Sequence, residues 1–212
     1  MDKFITVAGN IGVGKSTLVE LLSEELGWTP FYEPVTENPY LADFYEDMQA
    51  WGFHSQIYFL MRRLRIHRKL MDLNTSVIQD RSVYEDAEIF AYNLYLQNAI
   101  NERDYNTYRE LYQVLVAFLP PPDLVIYLKA SVPTLIERIA MRDRSYERTI
   151  SADYLSDLNE LYQSWVDHFN LCPVLTVPCD NLDYVATPQH LALIVDKVRS
   201  ILMGKETVRF NL

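Results

Sequence analysis

Short β-branched runs alternate with longer stretches of helical period along the whole chain. That is the pattern of a parallel sheet covered by helices on both faces. The runs that read as strands are Phe4–Ala8, Pro30–Glu33, Ser76–Gln79, Leu124–Leu128 and Pro173–Val177. Between them the period predicts helices over Lys15–Leu26, Phe53–Leu73, a long region around Ala87–Phe118, Val132–Met141 and Ala152–Phe169, with a last one near Pro188–Leu202. Pro120-Pro121-Pro122 closes the long helical region before the fourth strand, because proline lacks the donor that a helix interior needs and pushes the residue before it out of the α region. This run punctuates one domain and does not divide two, and 212 residues suit a single domain, 1–212, with a full core. The expected fold class is α/β, with a five-stranded parallel sheet flanked by helices.

Composition narrows the partners. With 19 Lys+Arg against 29 Asp+Glu the net charge is −10, so the surface as a whole repels phosphate backbones and anionic membranes. No nucleic-acid polymer is expected as a partner, and any anionic ligand must be held by a local cluster of donors. The two cysteines, Cys172 and Cys179, form no CxxC pair and no zinc pattern, which fits reduced thiols in the cytoplasm. No apolar stretch approaches a membrane span, and a strand-like run starts almost at the first methionine, so neither secretion nor bilayer insertion has a signal.

The strongest local signal follows the first strand. Gly9-Asn10-Ile11-Gly12-Val13-Gly14-Lys15-Ser16-Thr17 is a full match to G-x-x-x-x-G-K-[ST] in the required strand-to-helix context. The glycines let successive backbone N–H groups turn inward around a polyphosphate, and the following helix adds its positive N-terminus. Lys15 reaches the β- and γ-phosphates, and the Ser16 hydroxyl coordinates Mg²⁺. A P-loop that binds a nucleoside triphosphate is therefore expected, as P-loop kinases bind ATP.

Tyr32-Glu33-Pro34 stands after the second strand and Asp80-Arg81-Ser82 after the third, at the strand ends where open α/β sheets bind their ligands. A carboxylate there can take a proton from an attacking hydroxyl, which makes Glu33 the candidate general base. Asp80 is a candidate metal ligand, directly or through water, and Arg81 can hold the acceptor hydroxyl or a phosphate oxygen. In the predicted helix Phe53–Leu73, Gln56 and Arg63 are seven positions apart and share a face. An amide and a guanidinium pointing the same way can pair with a base edge, and Asp86 can accept from an exocyclic amino group. Tyr45, Trp51, Phe53, Phe90 and Tyr92 are candidates to sandwich a planar base, although most aromatics of such a chain serve the core. After the fourth strand, Ser131 reads as an N-cap and Pro133 as the first helical turn, leading to Arg138, Arg142, Arg144 and Arg148. Arg138 and Arg142 share a helix face, so an arginine-rich lid over ATP, about 138–148, is expected.

Taken together, Gly9-to-Thr17, Glu33-Pro34, Gln56, Asp80-Arg81-Ser82 and Arg138-x3-Arg142-Asp143-Arg144 resemble the deoxynucleoside kinase family. The resemblance spans about residues 4–202. It leans toward the bacterial deoxyadenosine and deoxyguanosine kinases through Glu33-Pro34-Val35-Thr36-Glu37-Asn38-Pro39-Tyr40 and Gln56-Ile57-Tyr58-Phe59-Leu60. It implies Glu33 as base for a 5′-hydroxyl with Arg81 beside it, Asp80 near Mg²⁺, and Gln56, Arg63 and Asp86 on the base. It also implies Tyr45 and Glu147 on the sugar 3′-hydroxyl, the lid arginines on ATP, and a homodimer joined through Phe53–Leu73 and the Ala87–Phe118 region. The chain departs from many animal members, which carry Glu at the position of Asp80 and two adjacent acids where it has Tyr146-Glu147. The expected function is ATP-dependent phosphorylation of a purine 2′-deoxynucleoside in nucleotide salvage. Its rivals are a nucleoside-monophosphate kinase of the thymidylate type and a non-enzymatic P-loop regulator. The first is disfavoured by Glu33, which would repel an acceptor that already carries a phosphate, and the second has no use for a substrate face of Glu33, Gln56 and Arg81.

Overall fold

The computed structural model describes residues 2–32 and 37–204. Its sheet runs β1 (Phe4–Gly9), β2 (Thr29–Phe31), β3 (Val77–Asp80), β4 (Leu124–Lys129) and β5 (Val174–Pro178), all parallel, in the order β2-β3-β1-β4-β5. The expected five-stranded parallel sheet is thus present. β1 is buried at every position because it lies in the middle of the sheet. The second strand is shorter than the predicted Pro30–Glu33 and starts a residue earlier; it is an edge strand, where Pro30 does not interrupt a ladder on both sides. Glu33 to Thr36 fall outside the described residues.

Side-chain alternation sorts the core. Phe4 and its register partner Val77 pack on Leu70 of α3 (Met48–Met71), whereas Ile5 and Val7 point the other way and join Leu18 and Leu22 of α1 (Lys15–Leu26). The helix α3 begins before the predicted Phe53 because Asp47 caps it, accepting from the Ala50 N–H at 3.0 Å. Gly52 lies inside α3, where a Cβ would stand 3.4 Å from Ile100 Cγ1, an ordinary contact. The short α2 (Leu41–Glu46), which the periodicity did not show, precedes it.

The long helical region expected around Ala87–Phe118 starts earlier and is broken. It consists of α4 (Val83–Glu85), a π-helical stretch Asp86–Ala91, α5 (Tyr92–Leu96) and, after a turn, α6 (Glu102–Val116). The turn uses Asn98 at φ 56°, a left-handed conformation that asparagine tolerates, and Asn101 caps α6 through the Asp104 N–H at 3.0 Å. The remaining helices, α7 (Val132–Arg142), α8 (Ala152–His168) and α9 (Pro188–Leu202), follow the sequence reading to within a residue.

One buried group gives the fold an acid limit. His67, on α3, lies edge-on to Phe4 with ring centroids 5.2 Å apart. Burial lowers its pKa from 6.5 to about 4, against an opposing pull from the Pro120 backbone. Below pH 6.5 the unfolded chain therefore takes up a proton that the folded chain refuses until about pH 4, so this stability is lost as pH falls through that window. The shift corresponds to roughly 3 kcal/mol at most. His67→Leu should flatten the fall in denaturant midpoint between pH 6.5 and 4, and an unchanged acid slope would show that His67 is not the group responsible.

Candidate active site

A cleft of about 640 Å³ opens at the carboxyl ends of the central strands, where the strand order changes direction. Its floor is the loop between β1 and α1. Close packing dictates the glycines there. A Cβ on Gly12 would lie 2.7 Å from Ile139 Cγ1 and 3.0 Å from the Leu135 carbonyl, and one on Gly14 would lie 2.7 Å from the Tyr184 hydroxyl. Both residues also have positive φ, 82° and 103°, which favours glycine. Ile11, Gly12, Gly14, Lys15, Ser16 and Thr17 line the cleft. The other three residues of the motif do not. Val13 is packed in the core, Gly9 ends β1, and the Asn10 side chain is spent on the fold, donating to Leu155 O and Asn159 Oδ1 at 2.9 and 2.8 Å.

Lys15 Nζ lies over this loop, donating to Gly9 O at 2.9 Å and Asn10 O at 3.0 Å. Beside it Ser16 Oγ donates to Asp80 Oδ2 at 2.5 Å, joining the start of α1 to the last residue of β3. Asp80 Oδ1 is buried and has no hydrogen-bond partner among the described residues. A hydroxyl and a carboxylate with an unused buried oxygen are hard donors suited to Mg²⁺, which commonly binds one or two protein oxygens, with phosphate and water completing its shell. The described residues contain no cluster of three metal-ligating side chains, and such a site needs none.

The acceptor side is built from β3, α3 and the π-helical stretch. Arg81 takes a left-handed backbone at φ 63°, a strain of roughly 1–2 kcal/mol for a side chain with Cβ. The turn sends its guanidinium into the cleft, 4.1 Å from the centre of the Phe90 ring. Gln56 and Asp86 also line the cleft, and Gln56 Oε1 is buried with no partner among the described residues. Arg63 does not line it. Its Nε and Nη2 donate to the two Asp86 oxygens at 3.1 and 3.4 Å, and its Nη1 donates to the carbonyls of Asp80 and Arg81 at 3.0 and 3.1 Å. Arg63 thus stands behind Asp86, fixing its carboxylate while Gln56 and Asp86 face the cavity. Asp86 and Phe90, four positions apart on the π-helical stretch, line the same wall.

At the rim, Tyr45 stacks on Tyr146 with centroids 6.2 Å apart. Glu147, which is buried, accepts from Arg142 Nε and Nη2 at 3.1 and 2.6 Å and from Arg144 Nη1 at 3.5 Å. Arg138 instead ties the loop to the end of β5, donating to Val13 O at 2.8 Å and Cys179 O at 3.0 Å. Arg148 pairs with Asp143 in the open and does not line the cleft. Sequence reasoning missed three features: Leu182 to Val185, which close one side of the cleft, the buried acid Glu85, and Tyr162 beneath the loop. Of these only Glu85 left a trace, as the fourth residue of a Ser82-x-x-Glu85 capping box.

Among known proteins, a family model described as deoxynucleoside kinase matches residues 5–203. The deoxyadenosine/deoxycytidine kinase of Bacillus subtilis (strain 168) is 37% identical over 203 residues, covering 95% of this chain and 94% of that protein. The deoxyguanosine kinase of the same organism is 31% identical, covering 94% of this chain and 98% of that protein. The deoxyadenosine kinase of M. mycoides, solved with bound dATP, superposes with a TM-score of 0.83 at 36% identity, over 93% of this chain and 100% of that one.

Proposed function

Because the chain belongs to the deoxynucleoside kinase family and is an enzyme that phosphorylates deoxynucleosides, we propose that it transfers the γ-phosphoryl group of ATP to the 5′-hydroxyl of a purine deoxynucleoside, with Mg²⁺. The observation that carries this reading is the meeting, in one cleft, of a phosphate loop with base-reading groups. Lys15 and Ser16 face Asp80 on one side, and Gln56 and Asp86 face the cavity on the other.

In this reading the loop amides and Lys15 hold the donor phosphates. Arg81, held against Phe90, presents its guanidinium to the acceptor hydroxyl or to an oxygen of the transferring phosphoryl group. Ser16 and Asp80 would hold the Mg²⁺, which when bound neutralises charge on the phosphate oxygens. Glu33 takes the proton of the attacking hydroxyl. Glu147 and Tyr45 receive the sugar, and a donor phosphate draws Arg142 and Arg144 toward ATP as the lid closes, with Arg138 beside them. Phosphoryl transfer asks the protein mainly for such positioning and charge. The same reading makes the protein a cytoplasmic homodimer joined through α3 and the 87–118 region. The exposed Leu111 and Val114 of α6, and Phe118 just beyond it, supply apolar surface for that contact. No helix among the described residues is long and apolar enough to cross a membrane.

Asp86 is the acceptor that rewards a base with an exocyclic amino group, and thymidine has none to offer. An unpaired buried polar group costs about 1–3 kcal/mol, or roughly 5- to 150-fold in preference. Removing Asp86 alone would leave Arg63 as a buried uncompensated charge, so the test is the double change Arg63→Leu with Asp86→Ala. In kcat/KM for the four deoxynucleosides, the wild type should favour deoxyadenosine or deoxyguanosine over thymidine. The double variant should lose that preference by a factor in this range, and an unchanged ranking would show that these side chains do not read the base.

A further inference from the structure

Glu85 is fully buried, and its two oxygens serve two different parts of the site. Oε2 closes the capping box of α4, accepting from Ser82 N–H at 2.7 Å and Ser82 Oγ at 3.1 Å. Oε1 reaches across to the neighbouring strand, accepting from the Gly9 N–H at 3.2 Å and from the Tyr162 hydroxyl at 2.8 Å. An ordinary helix cap needs only the first pair. The second pair grips the residue at which β1 becomes the phosphate loop, while the first grips the turn that carries Arg81. One carboxylate therefore spans the donor and acceptor halves of the cleft.

The proton arrangement closes with Glu85 ionised. The Tyr162 hydroxyl lies 2.8 Å from both Glu85 Oε1 and Gly9 O, and it has one proton to give. Lys15 already donates to Gly9 O at 2.9 Å, which leaves the Tyr162 proton for the carboxylate. Burial raises the Glu85 pKa, and the charges of Arg81 and Lys15, the Ser82 N–H and the Tyr162 hydroxyl oppose that rise. These two cations are the ones the proposed transfer uses. When Lys15 turns to a phosphate, Tyr162 stands within reach of Gly9 O to replace it, so the loop entry keeps its shape.

We propose that Glu85 is a positioning residue for phosphoryl transfer: it fixes the phosphate loop at Gly9 relative to the Ser82 turn that aims Arg81, and it is the counter-charge that lets Lys15 and Arg81 share a closed space. The inference rests on the deoxynucleoside kinase reading and adds to it a residue that need not touch either substrate.

Glu85→Gln keeps the shape but has one acceptor oxygen, so its amide nitrogen must face one of the two donor pairs. Misplacement of reacting groups by about 1 Å costs on the order of 10²-fold. Measured below the unfolding transition and normalised to folded protein by near-UV circular dichroism, kcat should fall by about that factor. The Kd for ATP and the KM for the nucleoside should stay within about threefold, since the loop amides and the base-reading groups remain. Tyr162→Phe keeps the charge and removes one donor. It should lower kcat by a smaller factor, and the two changes together should cost less than the product of each alone. Should Glu85→Gln fail to fold, Tyr162→Phe decides: a lower kcat at unchanged affinities supports the proposal, and an unchanged kcat overturns it. A folded Glu85→Gln protein turning over within threefold of wild type also overturns it. So does a joint fall of kcat and both affinities in step with lost folded protein. Wild-type turnover of deoxynucleosides in the same assay tests the functional reading separately, so an active wild type with an unaffected variant sinks this inference alone.

Discussion

Lys15→Ala should abolish measurable phosphoryl transfer, a loss of about 10³-fold or more in kcat/KM, with little change in Tm. The magnitude follows from removing a fixed positive charge at oxygens whose negative charge shifts during transfer, where a single lost donor already costs about 10²- to 10³-fold. The small effect on folding follows from where the ammonium lies. It donates to two loop carbonyls, Gly9 O and Asn10 O, and lines the cleft. Without Lys15 the Tyr162 hydroxyl, 2.8 Å from both Gly9 O and Glu85 Oε1, can turn its proton to Gly9 O, and Glu85 keeps the charge of Arg81 nearby. Steady-state kinetics beside a thermal melt check both halves. Turnover within twofold of wild type would end the assignment of this loop to the donor phosphates.

Glu33→Gln should slow the chemical step by about 10²-fold or more while nucleoside binding changes far less. The amide keeps the size of the side chain and removes its ability to take a proton, so the loss belongs in kcat. Glu33 lies outside the described residues, and the expectation rests on its place after the second strand and on the family. Single-turnover rates separate the outcomes. A slow chemical step at nearly normal nucleoside affinity supports Glu33 as the base. A kcat that hardly moves assigns the proton to another group, and Asp80, which accepts from Ser16 Oγ at 2.5 Å, becomes the next candidate.

What could be read along the chain and what could not divide by the range of the interaction. The phosphate loop is contiguous, so its glycines, lysine and serine declare themselves, and the structure explains them by local close approaches such as Gly12 against Ile139. The helix over Lys15–Leu26 was legible to its last residue because Gly27 closes it with φ 67°. The helical region after β3 was legible only in part. The period stays near helical through the π stretch, so its extra residue per turn is invisible. Arg63 and Gln56 share a face by spacing, as expected, but spacing does not tell which of them reaches the cleft; the tertiary hydrogen bonds of Arg63 to Asp86 and to the carbonyls of Asp80 and Arg81 place it behind Asp86, while Gln56 lines the cavity. Glu85 was readable as a capping residue. Its hold on Gly9 and Tyr162 depends on residues 76 and 77 positions away, which come together only once β3 has paired with β1.

The most direct test of the whole reading is the product of the wild-type enzyme. Supplied with ATP and Mg²⁺ and offered deoxyadenosine, deoxyguanosine, deoxycytidine, thymidine and thymidine monophosphate in turn, it should form ADP and a 5′-monophosphate in equal amounts from the nucleosides it accepts, and little diphosphate from thymidine monophosphate. By ³¹P NMR and chromatography, kcat/KM should be highest for a purine deoxynucleoside. ADP released without a phosphorylated nucleoside, or a preference for thymidine or for the monophosphate acceptor, would contradict it.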